Sequence, residues 1–467
     1  MKISKIYIRD FDQFQDVELD FTDPNTGNPI DKVCFIGRNG TGKSKILRLI
    51  NWFFDTLLPS LVDSNRQPNL DNSPSARIVF KIIHKQLPVI LFYFRGRTEI
   101  FNVNSLPANE ESELINLLLS QTTNFGINLI SRDEDFRELN ASTKHKDFLN
   151  ELVLGNSTDL VVYSPDESAN NGYMAIMDVP QTNVNDALAL FQNLPVFVQV
   201  SPNTVTDFWK LLVFNLKKRD DEREKYERAE ENINKTKAQL IKEFDNISPK
   251  VLDNLAKIWD NILSKSGLEF DVEGANNPIQ LADNLKAYVR LKTLKKTVPY
   301  RNLSTGIRNF IFRVGHIFSL YFNRQIDRGF LLVDEPENGF YPDFLFDLMN
   351  TYLQIVIDKN GNNNTQFFFA THNPLIAAQF QPYERIILDW NDDYSINSKK
   401  GYSPVGDDPN DVLSNDFELK DLLGPEGRKK WDEYQNLKKK LIRENDSSKK
   451  EDLINQINQI GTLYNFS

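Results

Sequence analysis

Apolar residues recur at near-alternate positions at the start of the chain: Ile3, Ile6 and Ile8, then Val17, Leu19 and Phe21. This patterning predicts two half-buried strands, and the short polar gap between them predicts a hairpin. Residues 23–28 are rich in Asp, Asn, Pro and Gly and read as a turn. The apolar run 33–36 predicts a buried strand. Beyond a glycine-rich stretch, Ile46, Leu47, Leu49, Ile50 and Phe53 fall at helical spacing. Strand-like runs recur at 77–83, 88–94, 160–163 and 196–200.

The pattern changes between about 204 and 265. Residues 217–231 are mostly charged, with both signs mixed. Tyr226, Ala229, Ile233, Thr236, Leu240, Phe244 and Ile247 are spaced by steps of three or four, which predicts a short coiled-coil stripe. Pro249 ends it, and 251–263 is the expected returning partner. After Arg301 the α/β pattern resumes, with strands expected at 330–333, 366–370 and 385–389 and a helix at 344–356. From Pro425 onward Trp431, Tyr434, Leu437 and Leu441 mark one helical face, and Leu453, Ile454, Ile457 and Ile460 mark another. Ser447 and Ser448 lie between them, so a helical hairpin is expected.

Composition narrows the class. The chain has 467 residues and a formal net charge of −10, which argues against a uniformly basic nucleic-acid surface. A single cysteine, Cys34, rules out an intrachain disulfide and fits a reducing compartment, so the expected location is the cytoplasm. The four histidines, His84, His145, His316 and His372, lack metal-ligand spacing. No apolar run is long enough to span a bilayer; the longest, 310–322, is broken by Arg313 and His316.

The chemistry concentrates in four places. Gly37, Arg38, Asn39, Gly40, Thr41, Gly42, Lys43 and Ser44 fit the P-loop pattern, between an expected strand and an expected helix. Glycines permit close backbone approach, and loop N–H groups at a helix N-terminus suit phosphate. Lys43 is expected at the β- and γ-phosphates of ATP, and the Ser44 hydroxyl on Mg²⁺. Four apolar residues, 330–333, precede Asp334 and Glu335, the layout of a Walker B strand. Asp334 is the expected second magnesium ligand and Glu335 the expected base toward water. Leu303-Ser304-Thr305-Gly306 opens a helix upstream of that strand, and Thr371-His372-Asn373-Pro374 follows the strand at 366–370.

Leu303 to Gly306 resembles the Leu-Ser-x-Gly signature of ABC-type ATPases. Asp334-Glu335-Pro336-Glu337-Asn338-Gly339-Phe340-Tyr341-Pro342 is similar to the D-loop region of RecF- and OLD-type ATPases, and the segment at His372 to their Thr-His-x-Pro switch. The motifs occur in the family's order, over residues 1–94 and 300–390. Ile307 departs from the polar residue common after the signature glycine, and Phe340-Tyr341 replaces Leu-His. The resemblance implies an α/β fold: an ABC-type P-loop NTPase core of mixed sheet and flanking helices, with a helical coiled-coil insert. The expected divisions are 1–203 and 268–400 for the core, 204–267 for the insert and 401–467 for a helical tail. It implies that Ser304 and Gly306 serve a γ-phosphate held by another protomer and that His372 contacts the γ-phosphate. ATP would then lie between two heads of a homodimer or larger ring.

The layout also looks like that of the ATPase subunits of the bacterial anti-phage systems PARIS and Septu, including the stretch 406–413 and the helical hairpin after it. That resemblance implies a separate effector, a nuclease or toxin, and a phage protein or DNA as trigger. A RecF- or SMC-like role in DNA repair is the alternative. A transport ATPase subunit is disfavoured by Asn338 to Pro342, where such subunits carry Leu-Asp. No membrane partner is expected.

Overall fold

The computed structural model describes residues 1–61, 68–70, 73–103, 106–121, 159–166, 184–192, 196–248, 251–271, 289–299, 302–324, 328–355, 364–419 and 421–466. His145 and Val356 lie outside them.

The alternation at the N-terminus becomes a hairpin of β1 (Lys2–Phe11) and β2 (Phe14–Asp20), with Ile3, Ile6, Ile8 and Leu19 fully buried on one face. Two further hairpin strands, β4 (Arg77–His84) and β5 (Leu87–Phe94), and β6 (Arg97–Asn102) complete an antiparallel sheet in the order β2-β1-β4-β5-β6. Its outer face carries a helix, Ala108–Leu119, through Ile115, Leu118 and Leu119.

The larger sheet is built from β3 (Lys32–Gly37), β7 (Leu160–Ser164), β8 (Phe197–Gln199), β11 (Arg328–Asp334), β12 (Asn364–Ala370), β13 (Arg385–Trp390) and β14 (Ile396–Lys400), in the order β14-β13-β3-β12-β11-β7-β8; β9 (Leu268–Phe270) and β10 (Val289–Leu291) pair separately. Within the larger sheet all pairings are parallel except β13 with β14. Strands covered on both faces read as unbroken apolar runs, which is why 330–333 carries no alternation. Phe330 and Leu332 face the antiparallel sheet across helix α1 (Lys43–Trp52), whereas Leu331 and Val333 face a layer of helices.

Among those helices are α2 (Pro202–Arg228), α4 (Val251–Leu263), α5 (Thr305–Arg324) and α6 (Pro342–Ile355), while α3 (Lys237–Ile247) lies outside that layer. The stripe from Tyr226 to Ile247 is not one helix. The backbone is extended at Ala229, and the Thr236 hydroxyl accepts from the Gln239 N–H in a capping box that starts a new helix. Ile233 and Ile247, assigned to the seam, are 68% and 66% exposed. Instead α3 folds back on the distal half of α2: Tyr226 donates to Glu243 at 2.7 Å, Arg219 pairs with Asp245, and the Tyr226 and Phe244 rings meet at 5.7 Å. The segment expected to run back, α4, buries Leu255, Trp259, Ile262 and Leu263 in the main core.

The C-terminal part begins with α7 (Pro409–Asn415) and ends in the expected helical hairpin, α8 (Pro425–Arg443) and α9 (Ser447–Tyr464). The hairpin has a small core of its own, Tyr434, Leu437 and Ile457, flanked by Trp431 and Phe466. No helix among the described residues is long and apolar enough to cross a membrane.

Candidate active site

The site forms at the C-terminal ends of β3, β11 and β12, three adjacent parallel strands. β3 delivers Gly37, and the loop to Ser44 leads directly into α1. Gly42 has φ +97°, and a Cβ there would come within 2.4 Å of the Phe14 ring. Only glycine lets the loop pass beneath the β1–β2 turn. That turn is fastened to the loop: Gln13 donates to the Gly40 carbonyl at 3.4 Å, and Lys45 bridges Asp12 and Gln13 at 2.7 and 2.8 Å. Arg38, Asn39 and Gly40 are exposed, while Thr41 is buried and donates to the Arg38 carbonyl.

Lys43 is nearly buried. Its ammonium donates to the carbonyls of Gly37 at 2.8 Å and Arg38 at 3.3 Å. Burial pulls its pKa down, and the charges of Glu335, Asp334 and Glu337 oppose that shift. Three acids from the β11 end therefore face the P-loop lysine.

Asp334 is 3% exposed. Burial raises its pKa, opposed first by a hydrogen bond from the Ser44 hydroxyl. Its Oδ1 is buried with no hydrogen-bond partner. A buried orphan oxygen beside a serine hydroxyl is a hard-oxygen pair that fits a magnesium ion.

Glu335 has φ +44°, a left-handed conformation that L-residues seldom adopt. Its N–H bonds the Ala370 carbonyl at 2.8 Å, tying the ends of β11 and β12 together. Asn338 donates to the Glu335 carboxylate at 2.9 Å and to Asp166, beyond β7, at 2.6 Å. His372 is half exposed, with Nδ1 at 3.3 Å from Glu335 and 3.7 Å from Glu337. Arg313 of α5 reaches in from behind: it donates to the carbonyls of Ser164, Pro165, Asp334 and Glu335 and to the Ser164 hydroxyl.

Gly37 to Ser44, Asp334, Glu335 and His372 are thus brought to one place. Ser304 and Gly306 lie at the start of α5, against the loop that follows Glu335. Ser304 is exposed and its hydroxyl accepts from the Ile307 N–H at 3.4 Å, capping α5. Gly306 lies against the D-loop: a Cβ on it would sit 2.0 Å from the Gly339 carbonyl oxygen. Arg313, Asp166, Asn338 and Glu337 were not singled out from sequence. An arginine inside the apolar run 310–322 was the available signal for the first, because a buried guanidinium needs acceptors. Glu337 and Asn338 lie in the D-loop-like segment 334–342, which gave neither a role of its own, and Asp166 had no signal. Among the described residues no cluster of His, Cys, Asp and Glu is arranged to hold a metal by itself.

The sequence matches the AAA ATPase domain family over residues 1–377. No curated protein matches it. Similar solved structures include the SMC head domain from Thermotoga maritima, at 13% identity and TM-score 0.37, covering 86% of this chain and 100% of that one. The recombination mediator protein RecF-ATPrS of the RecFOR pathway is 11% identical with TM-score 0.32, covering 85% and 97%. The protein cbiO1 from Clostridium perfringens, part of the ABC transporter complex cbiONQ, is 12% identical with TM-score 0.27, covering 88% and 90%. These scores are low, and the functional reading stands on the family and on the chain's own geometry.

Proposed function

This chain belongs to the AAA ATPase domain family, and on that premise we propose that it is an ATP-gated clamp in which two heads close on nucleotide and reopen on hydrolysis. ATP is the substrate. The P-loop N–H groups and Lys43 bind its phosphates. Ser44 and Asp334 would hold Mg²⁺, which would supply charge neutralisation at the phosphates. Glu335 takes the proton of the attacking water, and Asn338 keeps its carboxylate aimed. His372 directs Nδ1 at two carboxylates, which leaves its other ring nitrogen for the γ-phosphate.

The observation that carries the clamp is the placement of Ser304 and Gly306. Exposed Ser304 caps the N-terminus of α5, and Gly306, buried in its first turn, packs on the D-loop at Gly339. An exposed helix N-terminus capped by serine suits an anion, and we assign it to the nucleotide of a second copy. Mixing two inactive variants tests this. Lys43→Ala retains an intact signature, and Ser304→Arg retains an intact P-loop. A mixed dimer would contain one complete composite site, so activity should reappear on mixing. No recovery at any ratio would contradict the sandwich.

The biological setting we propose is a cytoplasmic sensor ATPase of a bacterial anti-phage system that controls a separate nuclease or toxin. Support comes from the likeness of layout and from two helical hairpins, α2–α3 and α8–α9, which leave Ile233, Ile247, Ile442 and Leu463 exposed in or beside them. Phage challenge of cells carrying the gene with its neighbours, intact against Lys43→Ala, tests it: protection should vanish with the lysine. If both strains are equally sensitive to a broad panel while a deletion strain is sensitive to DNA damage, RecF-like repair is the function.

A further inference from the structure

The acid two residues beyond Glu335 has no part in the reaction described so far. Glu337 is 6% exposed, at the turn between β11 and α6. One of its carboxylate oxygens accepts from the Thr371 hydroxyl and, at 3.3 Å, from the His372 N–H. The same oxygen lies 3.7 Å from His372 Nδ1. The Thr371 hydroxyl in turn accepts from the Asn373 N–H at 2.9 Å, so the whole switch segment hangs from this carboxylate. The other oxygen, Oε2, is buried without a hydrogen-bond partner.

On its other side, Glu337 belongs to a tight turn. The Asn338 N–H bonds the Glu335 carbonyl at 3.3 Å, and the Phe340 N–H bonds the Glu337 carbonyl at 3.0 Å. Displacing Glu337 therefore displaces Gly339, and Gly339 has no free space toward Gly306. Close-packed contacts of this kind transmit movement because nothing between them can compress.

We propose that Glu337 is a positioning residue that ties the switch histidine, His372, to the loop bearing Glu335 and Gly339, so that a shift of His372 is passed to the signature helix through the Gly339–Gly306 contact. The inference rests on the reading of His372 as a γ-phosphate contact. It gives a route by which nucleotide state in one head reaches the surface offered to the other.

The test is a double-mutant cycle on the full chain, with Glu337→Ala, His372→Ala, the double variant and Glu337→Gln, reading kcat, KM and affinity for mant-ATP. Glu337→Ala should lower kcat about 10- to 100-fold with nucleotide affinity near wild type. Glu337→Gln should recover most of the activity, because its amide oxygen accepts the same two donors. The double variant should be no slower than the slower single variant, since both break one link. Additive losses, or a wild-type kcat in Glu337→Ala, would overturn the proposal and leave the switch reading standing. A wild-type kcat in His372→Ala would overturn both. If Glu337→Ala is insoluble, Thr371→Val breaks the same link and carries the same expectation.

Discussion

The guanidinium of Arg313 donates to the backbone carbonyl of Asp334 at 2.7 Å, although Arg313 is 2% exposed in the middle of an apolar helix. Together with its bonds to Ser164, Pro165 and Glu335, this fixes the end of β11 from behind. Arg313→Met should leave buried carbonyls unsatisfied and cost on the order of 3 kcal/mol, read as a lower urea midpoint. Arg313→Lys should not restore it, because one ammonium cannot span the fork of acceptors.

Gly306 and Gly339 predict a separable defect. A Cβ at Gly306 must displace the D-loop backbone. Gly306→Ala should lower kcat about 100-fold, as an ångström-scale misplacement does, while single heads still bind nucleotide. Steady-state turnover beside equilibrium binding distinguishes this from loss of the P-loop.

The C-terminal segment is held by Arg385 and Asp416, both fully buried and 3.0 Å apart. Asp416 also accepts from the N–H groups of Tyr402 and Ser403. Removing one partner strands a buried charge, so Asp416→Ala should destabilise by about 3–5 kcal/mol in denaturant titration. The double replacement by apolar residues of similar volume should recover much of that loss.

His316 links stability to pH. Burial pushes its pKa down to about 4, and its Nδ1 has no hydrogen-bond partner. The unfolded chain binds a proton near pH 6.5 whereas the folded chain does not until about 4. Stability is thus fully present above 6.5 and falls as pH drops between these values, by roughly 3 kcal/mol at most. His316→Leu should be less sensitive than wild type over that interval, which thermal melts at stepped pH would show.

The strands and the P-loop were legible because their signals are local: apolar runs of fixed period, and glycines beside Lys43 and Ser44. Asp334, Glu335 and His372 were legible as motifs, and the structure brings them to the P-loop. Arg313 and Ser164 are 149 residues apart, and no local pattern couples them. The helical stripe misled for a different reason. Tyr226 to Ile247 keeps heptad spacing, yet Thr236 and Gln239 carry the Thr-x-x-Gln signature of a helix start, which outweighs spacing over so few turns. The expected return partner, α4, instead turns its amphipathic face into the main core, and an apolar stripe does not say which surface will cover it.

The most direct measurement of the central claim is the mass of Glu335→Gln by light scattering after gel filtration, with and without ATP and Mg²⁺. Slowed hydrolysis should trap the closed state, so the mass should double or rise further with ATP, and adding Ser304→Arg should abolish the increase. An unchanged mass in ATP, with nucleotide demonstrably bound, would contradict the clamp.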